Sequence, residues 1–371
     1  MSPTLRIGRI AGVEISVNWS WLIIFGLIVW SLAASVFPAQ NPGLGNVAYA
    51  AMALVAALLF FASLLLHELG HTFQARREGV EIAGITLWLF GGVARMRGAF
   101  PSAWAEFRIA LAGPAVSAVL GGVFVAIALV VSSPQQVNGV AAWLGYINIA
   151  LLAFNMLPAL PLDGGRVLHA LLWSRTGSPA SSTRRAARIG RGFGIALTGL
   201  GLASLAFAHS LGGLWLAFVG WFVYQAAGAE VQSSRFREAL AGVRVRDVMV
   251  RDPITVDADV SLAEFFDAVA YAHRYTTYPV TESGYVVGLL PFRSVARVPR
   301  DRWETTRVRD CMLQLGSVPV VEGQSELVDA LDAIGNGGVS RGLVIDGEEL
   351  EGLLSITDVL RLVAWKGAGR T

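Results

Sequence analysis

The sequence is poor in the residues that build soluble or disulfide-stapled proteins. Of 371 residues only one, Cys311, is cysteine, which excludes an intramolecular disulfide and a thiolate zinc cage and is compatible with a reducing compartment for that part of the chain. Charged residues make up only 15% against 54% hydrophobic, a balance outside the soluble globular range that predicts membrane spans. The formal net charge is only +2 and no basic stripe with interleaved aromatics occurs, so the composition argues against nucleic-acid binding. Lys and Arg are absent from residues 38–46, 132–139 and 209–211, and that absence orients the chain.

What is present is unevenly spread. Apolar residues crowd 17–228, whereas 235–371 carry an ordinary density of Asp, Glu and Arg, so one body in lipid and one in water are expected. A helix crosses the hydrocarbon core in about 20 apolar residues, and six segments meet that length: 17–37, 47–74, 107–131, 140–157, 190–208 and 212–230. The first follows Arg6 and Arg9 and so imitates a secretory signal, but it is long enough to span and lacks a small-residue cleavage pattern. Six spans put both termini on one side. The remaining connections carry Arg76, Arg77, Arg95, Arg97, Arg166, Arg175, Arg184, Arg185, Arg188 and Arg191; by the positive-inside rule they, the N-terminus and the C-terminal tail are cytoplasmic, in a multi-pass protein of the cell membrane.

Two stretches break the pattern. Residues 82–96 are apolar and strand-like around Gly91-Gly92 but too short to cross as a helix, and are read as a hairpin or re-entrant strand at the cytoplasmic face. The fourth span ends in Asn155-Met156-Leu157-Pro158-Ala159-Leu160-Pro161-Leu162-Asp163-Gly164-Gly165-Arg166, where prolines and glycines stop the helix and free backbone groups; such backbone at membrane depth belongs beside protein or a watery cavity. In the tail, Val245-Arg246-Asp247-Val248-Met249 recurs as Val308-Arg309-Asp310-Cys311-Met312, and Gly288-Leu289-Leu290 as Gly352-Leu353-Leu354. A unit of roughly 60 residues therefore occurs twice, each with an amphipathic helix followed by β-rich runs: an α/β tandem with pseudo-two-fold symmetry.

His67-Glu68-Leu69-Gly70-His71 closes the second span. At helical spacing His67 and His71 share one face, one turn apart, able to hold one Zn²⁺ through imidazole nitrogens. Glu68 then stands beside the metal, where a carboxylate can take the proton of a water whose pKa zinc lowers to about 7. The bland reading is a polar helix end at the headgroups. A catalytic zinc site wants three protein ligands and an open position, and Asp163, at the helix break on the same membrane side, is the best candidate for the third; an N-cap of a helix over 165–173 is its other reading. His169, His209 and His273 have no partner at ligand spacing and are read as structural.

These motifs resemble the site-2 protease family of intramembrane metalloproteases, in its bacterial and archaeal branch with C-terminal CBS domains. The resemblance rests on the His67–His71 motif, on Phe90-Gly91-Gly92-Val93-Ala94, on Asn155 through Gly165 and on the tandem. It implies His67, His71 and Asp163 as zinc ligands, Glu68 as general base, and Asn155 as a polar group that helps hold the substrate or oxyanion; a plain polar residue ending a helix is the alternative for Asn155. A transmembrane substrate hides its carbonyls in its own hydrogen bonds and must be received unwound, so an edge strand at Gly91 and Gly92 could pair with it by β-augmentation, or the hairpin merely packs on headgroups.

The fold class expected is thus a polytopic α-helical membrane domain of six transmembrane helices followed by a cytoplasmic α/β tandem CBS module: metalloprotease domain 1–230, linker 231–244, CBS domains 245–303 and 304–365, tail 366–371. CBS resemblance implies an adenine nucleotide (ATP, ADP or AMP) as regulatory ligand and allows a homodimer through the tandem. The matching residues are Gly352 through Asp358, with Asp358 on the ribose and Ser355 and Thr357 on the phosphate at a helix N-terminus; helix capping alone is the alternative. Pro291 and Ser294 stand at the corresponding places of the first repeat, so one nucleotide site is expected. A CBS-gated transporter or channel would need broken helices in two matching halves, of which only one break is visible; an inactive protease homologue is opposed by the intact Glu68.

Overall fold

In lipid each backbone N–H and C=O must find its partner within the segment, so an apolar run that crosses does so as a helix. The structure, a computed structural model, describes residues 4–88, 91–98, 100–210, 212–336 and 338–368. It contains six helices long and apolar enough to cross a membrane: α1 (Ser20–Gln40), α2 (Asn46–Arg77), α3 (Ala103–Val130), α4 (Gln135–Asn155), and, after the shorter α5 (Asp163–Thr176), α6 (Pro179–Ala208) and α7 (Gly212–Leu240). These are the six expected spans, each running past its expected bounds at one end or both. Ser102 caps α3 by accepting from the Ala105 N–H at 3.1 Å, so that helix starts before 107. Ser178 caps α6 with Pro179 in its first turn, a start signal that apolar length alone does not register. The last span continues to Leu240, so much of the expected linker 231–244 is helical.

The chain divides into two compact units, residues 1–234 and 235–371. In the first, a four-stranded sheet runs β1 (Thr4–Ile10), β2 (Val13–Asn18), β3 (Glu81–Trp88), β4 (Gly91–Arg97), in that order. The β3–β4 hairpin is the one expected over 82–96, although Phe90 of its motif lies outside the described residues. The first two strands were not expected. Ala11 and Gly12 turn the chain at φ 48° and 78°, and Val13, Ile15 and Val17 alternate inward, a period-two face. Val13 and Val17 pack with Ile85 and Leu87 on Leu69 of α2. The sheet is thereby seated on the helical turn that carries Glu68, with β4 at one edge and β1 at the other among the described residues.

The second unit holds two four-stranded sheets. One has the order β6 (Val256–Asp257), β7 (Thr277–Glu282), β8 (Tyr285–Pro291), β9 (Leu313–Gln314); the other β10 (Val320–Val321), β11 (Arg341–Asp346), β12 (Glu349–Ser355), β5 (Val250–Arg251). The leading strand of each repeat therefore crosses into the other repeat's sheet, and a cut at 303/304 leaves each sheet missing a strand. The repeated Gly288 and Gly352 mark these crossings: a Cβ on Gly352 would lie 2.7 Å from the Val250 carbonyl oxygen. The repeated Asp247 and Asp310 accept from the backbone N–H of Arg244 and Arg307 at 3.1 and 3.0 Å. Helices α8 (Leu327–Asn336) and α9 (Ile356–Ala368) belong to the second repeat.

Candidate metal centre

His67 and His71 occupy successive turns of α2, 2% and 7% exposed. Their Nε2 atoms face each other at 3.2 Å. Asp163, the first residue of α5, reaches both: Oδ2 is 3.2 Å from His67 Nε2 and Oδ1 is 3.3 Å from His71 Nε2. The helix runs Asp163–Thr176 with Leu162 as its N-cap residue, so Asp163 does not cap a helix over 165–173; its carboxylate is turned to the histidines. Gly164 and Gly165 permit this, since a Cβ on either would strike the backbone of the loop 156–162 folded over the start of α5. Burial pushes the Asp163 carboxyl up, but with His67 and His71 protonated their hydrogen bonds and charge outweigh it and bring the group to about 2.

The three residues form a group able to hold a metal ion, with ligand atoms all within 4.8 Å of one another. Two ligands about 2.0–2.1 Å from zinc subtend roughly 3.3 Å across a tetrahedral angle; the two Nε2 atoms stand 3.2 Å apart, and each lies 3.2–3.3 Å from one of the two Asp163 carboxylate oxygens, Oδ2 for His67 and Oδ1 for His71. His71 Nδ1 lies 2.7 Å from the Ile109 carbonyl oxygen, which only accepts. The proton is therefore on Nδ1, and the Nε2 of a neutral ring presents a lone pair to the cluster. Lone pairs converging in a buried space repel unless a cation or proton lies between them, so the donor set fits a divalent ion.

The backbone of α3 closes one side. A Cβ on Gly113 would lie 2.7 Å from His67 Nε2 and nearer still to His71 Nε2, so only glycine leaves the ligand atoms clear. Ser117, one turn on and fully buried, has its Oγ 2.9 Å from His67 Nδ1. Below the centre, Glu106 of α3 and His169 of α5 pair at 2.7 Å, both buried. His169 Nε2 faces the Pro179 carbonyl oxygen at 3.1 Å and Thr183 Oγ1 at 3.0 Å. Both ring nitrogens thus meet acceptors, and the Glu106 carboxylate, outweighing burial, raises the His169 pKa. Glu106, Ile109, Gly113 and Ser117 went unread in the sequence; the Gly113-Pro114 pair inside an apolar span was the available signal.

Glu68, half-buried, follows His67, and a Cβ on Gly92 would lie 2.9 Å from its Cδ; β4 passes directly over the carboxylate side chain. Gly91 pairs with Trp88 at the hairpin end. Asn155 is the last residue of α4 and is half-buried. In the second unit Ser355 is buried, Thr357 exposed and Asp358 half-buried. Ser355 Oγ donates to Asp358 Oδ2 at 2.5 Å and accepts from the Asp358 N–H at 3.2 Å, a reciprocal cap on α9, with Arg361 3.5 Å from Asp358.

Peptidase family M50 matches residues 55–140 and 132–199, and the CBS domain matches 245–301; Ser355, Thr357 and Asp358 lie outside the second match. The chain is 40% identical to Rip3, a candidate zinc metalloprotease of Mycobacterium tuberculosis, over 98% of this chain and 93% of that one. It is 31% identical to a zinc metalloprotease of Methanocaldococcus jannaschii over 98% of this chain and 97% of the other. Among solved structures, a site-2 protease from Methanocaldococcus jannaschii covers 62% of this chain and 95% of its own at 31% identity, with a TM-score of 0.43.

Proposed function

The chain belongs to peptidase family M50, the site-2 proteases, and we propose that it is an active intramembrane zinc endopeptidase that hydrolyses a peptide bond in or near a transmembrane segment of another membrane protein. The observation that carries this reading is the triad of His67, His71 and Asp163, its ligand atoms all within 4.8 Å of one another, with Glu68 next to His67 in the chain. One zinc ion per chain bound there would polarise the scissile carbonyl and lower the pKa of a water to about 7. Glu68 would take the proton of the attacking water and return it to the leaving amine, a role its position beside the ligands on α2 supports. Asn155, ending α4 before the loop to Asp163, steadies the substrate carbonyl.

The free edge of β4 receives the unwound substrate segment as an added strand. Gly92 brings that edge against Glu68, so a paired segment would run past the general base. With the Arg-bearing loops cytoplasmic, cleavage falls towards the cytoplasmic end of the substrate helix, in regulated intramembrane proteolysis. The CBS tandem binds one adenine nucleotide through Ser355, Thr357 and Asp358 and thereby modulates cleavage; coupling requires an affinity that differs between two states of the protein. Ser355 and Asp358 must first release each other.

The test is Glu68→Gln in full-length protein in detergent, compared with the parent on a reporter transmembrane substrate. Zinc content is expected to stay the same while cleavage falls by about 10²–10⁴-fold, since the amide cannot accept the proton. Cleavage within a few-fold of the parent removes Glu68 from the mechanism, and a parent that binds zinc without cleaving any such substrate makes the protein an inactive homologue.

A further inference from the structure

A metal-binding imidazole works only if its second nitrogen is held, because the ring can otherwise rotate or move its proton to the ligating nitrogen. The partners of both rings come from one helix, α3, which contributes no ligand. Ile109 offers its carbonyl to His71 Nδ1 at 2.7 Å, and Ser117 its hydroxyl to His67 Nδ1 at 2.9 Å. Between them in sequence lies Gly113, whose missing side chain leaves room for both Nε2 atoms. The spacing 109, 113, 117 is one residue per helical turn, so the three line a single stripe of α3 facing the centre.

We infer that this stripe of α3 is the positioning element of the metal centre, with the Ser117 hydroxyl setting the tautomer and ring angle of His67 as the Ile109 carbonyl sets those of His71. The inference rests on the metal reading above. His71 is locked by backbone, which substitution cannot remove; His67 depends on a single buried hydroxyl. When the His67 Nδ1–H donates to Ser117 Oγ, Nε2 presents its lone pair to the metal. Without that hydroxyl the proton on Nδ1 has no acceptor, and the tautomer with the proton on Nε2, which cannot bind a metal, becomes competitive. Ser117 touches neither substrate nor metal and acts through His67.

The prediction is read as zinc affinity of the full-length protein in detergent, by competition with a chromophoric chelator. Ser117→Ala is expected to weaken zinc binding by about 10- to 100-fold while thermal unfolding of the metal-free protein stays where it was. Ser63→Ala is the control: Ser63 is also buried on α2, one turn before His67, but its hydroxyl donates to the Leu59 carbonyl oxygen at 2.9 Å and does not contact a ligand. Its zinc affinity is expected to remain within about two-fold of the parent. The inference is overturned if Ser117→Ala also stays within about two-fold of the parent, or if Ser63→Ala loses as much, which would make the effect one of bundle packing. A parent that binds no zinc defeats the metal reading itself, and the inference with it.

Discussion

The two units each carry a short polar motif at a helix end, and the two motifs are satisfied in opposite ways. In the membrane unit, His67, His71 and Asp163 turn their acceptor atoms towards one point from two helices. In the second unit, Ser355 and Asp358 turn their polar atoms onto each other at the start of α9. The first arrangement gathers acceptors that one shared cation would satisfy; the second pairs its own donors and acceptors. A motif's residue types are therefore weaker evidence than the hydrogen-bond account of its atoms, because buried polar groups seldom remain unpaired in a folded protein.

The sharpest way to break this contrast is to remove ligands from the membrane site. His67→Ala/His71→Ala, and separately Asp163→Ala, should take zinc from about one per chain to none, measured by metal analysis of purified protein. Stoichiometric zinc in Asp163→Ala would return that residue to the role of a helix-end carboxylate.

A smaller effect is expected at the buried ion pair beneath the site. His169→Ala leaves Glu106 buried, with Arg166 the one cation paired to it among the described residues, 4.0 Å away, and should cost about 3–5 kcal/mol in denaturation of the full chain in detergent. The pair also fixes a pH dependence. The folded-state pKa of His169 lies above its ordinary 6.5 because the Glu106 carboxylate outweighs burial and the repulsion of Arg166. The contribution is therefore complete below about pH 6.5 and is lost as pH rises through the raised value. Melting temperature should fall over that range in the parent, and His169→Gln should remove that part of the slope; an identical slope in both would dismiss the imidazolium.

The smallest effects belong to the second unit. Ser355→Ala should cost about 1 kcal/mol as a lost helix cap, read in the same denaturation experiment. Calorimetry of the full chain with ATP, ADP and AMP should give one site in the parent and none in Asp358→Ala. If no nucleotide binds at millimolar concentration, Ser355 and Asp358 are a cap and nothing more, and the contrast between the units becomes absolute.

Much of this was legible in one dimension because it is local or periodic. Six apolar runs set six helices, since lipid leaves the backbone no other way to satisfy itself. The i, i+4 spacing put His67 and His71 on one face, and the recurrence of Val245–Met249 at Val308–Met312 announced the tandem. Capping signals at Ser102 and Ser178 were readable too, and explain where apolar length alone misjudged helix ends.

By itself, then, the sequence determined the spans, the repeat and the residue types of a candidate metal site, through hydropathy, recurrence and helical spacing. Only the tertiary structure decided that Asp163 meets two histidines more than ninety residues earlier, and that β1 and β2 join the hairpin on α2. Likewise, only there do the repeats exchange strands and does α3, through Ile109, Gly113 and Ser117, hold the imidazoles from behind. The physical reason is the same in each case. A backbone carbonyl, a missing side chain and a lone hydroxyl do not name their partners along the chain, and acquire meaning only when packing brings a distant group into contact.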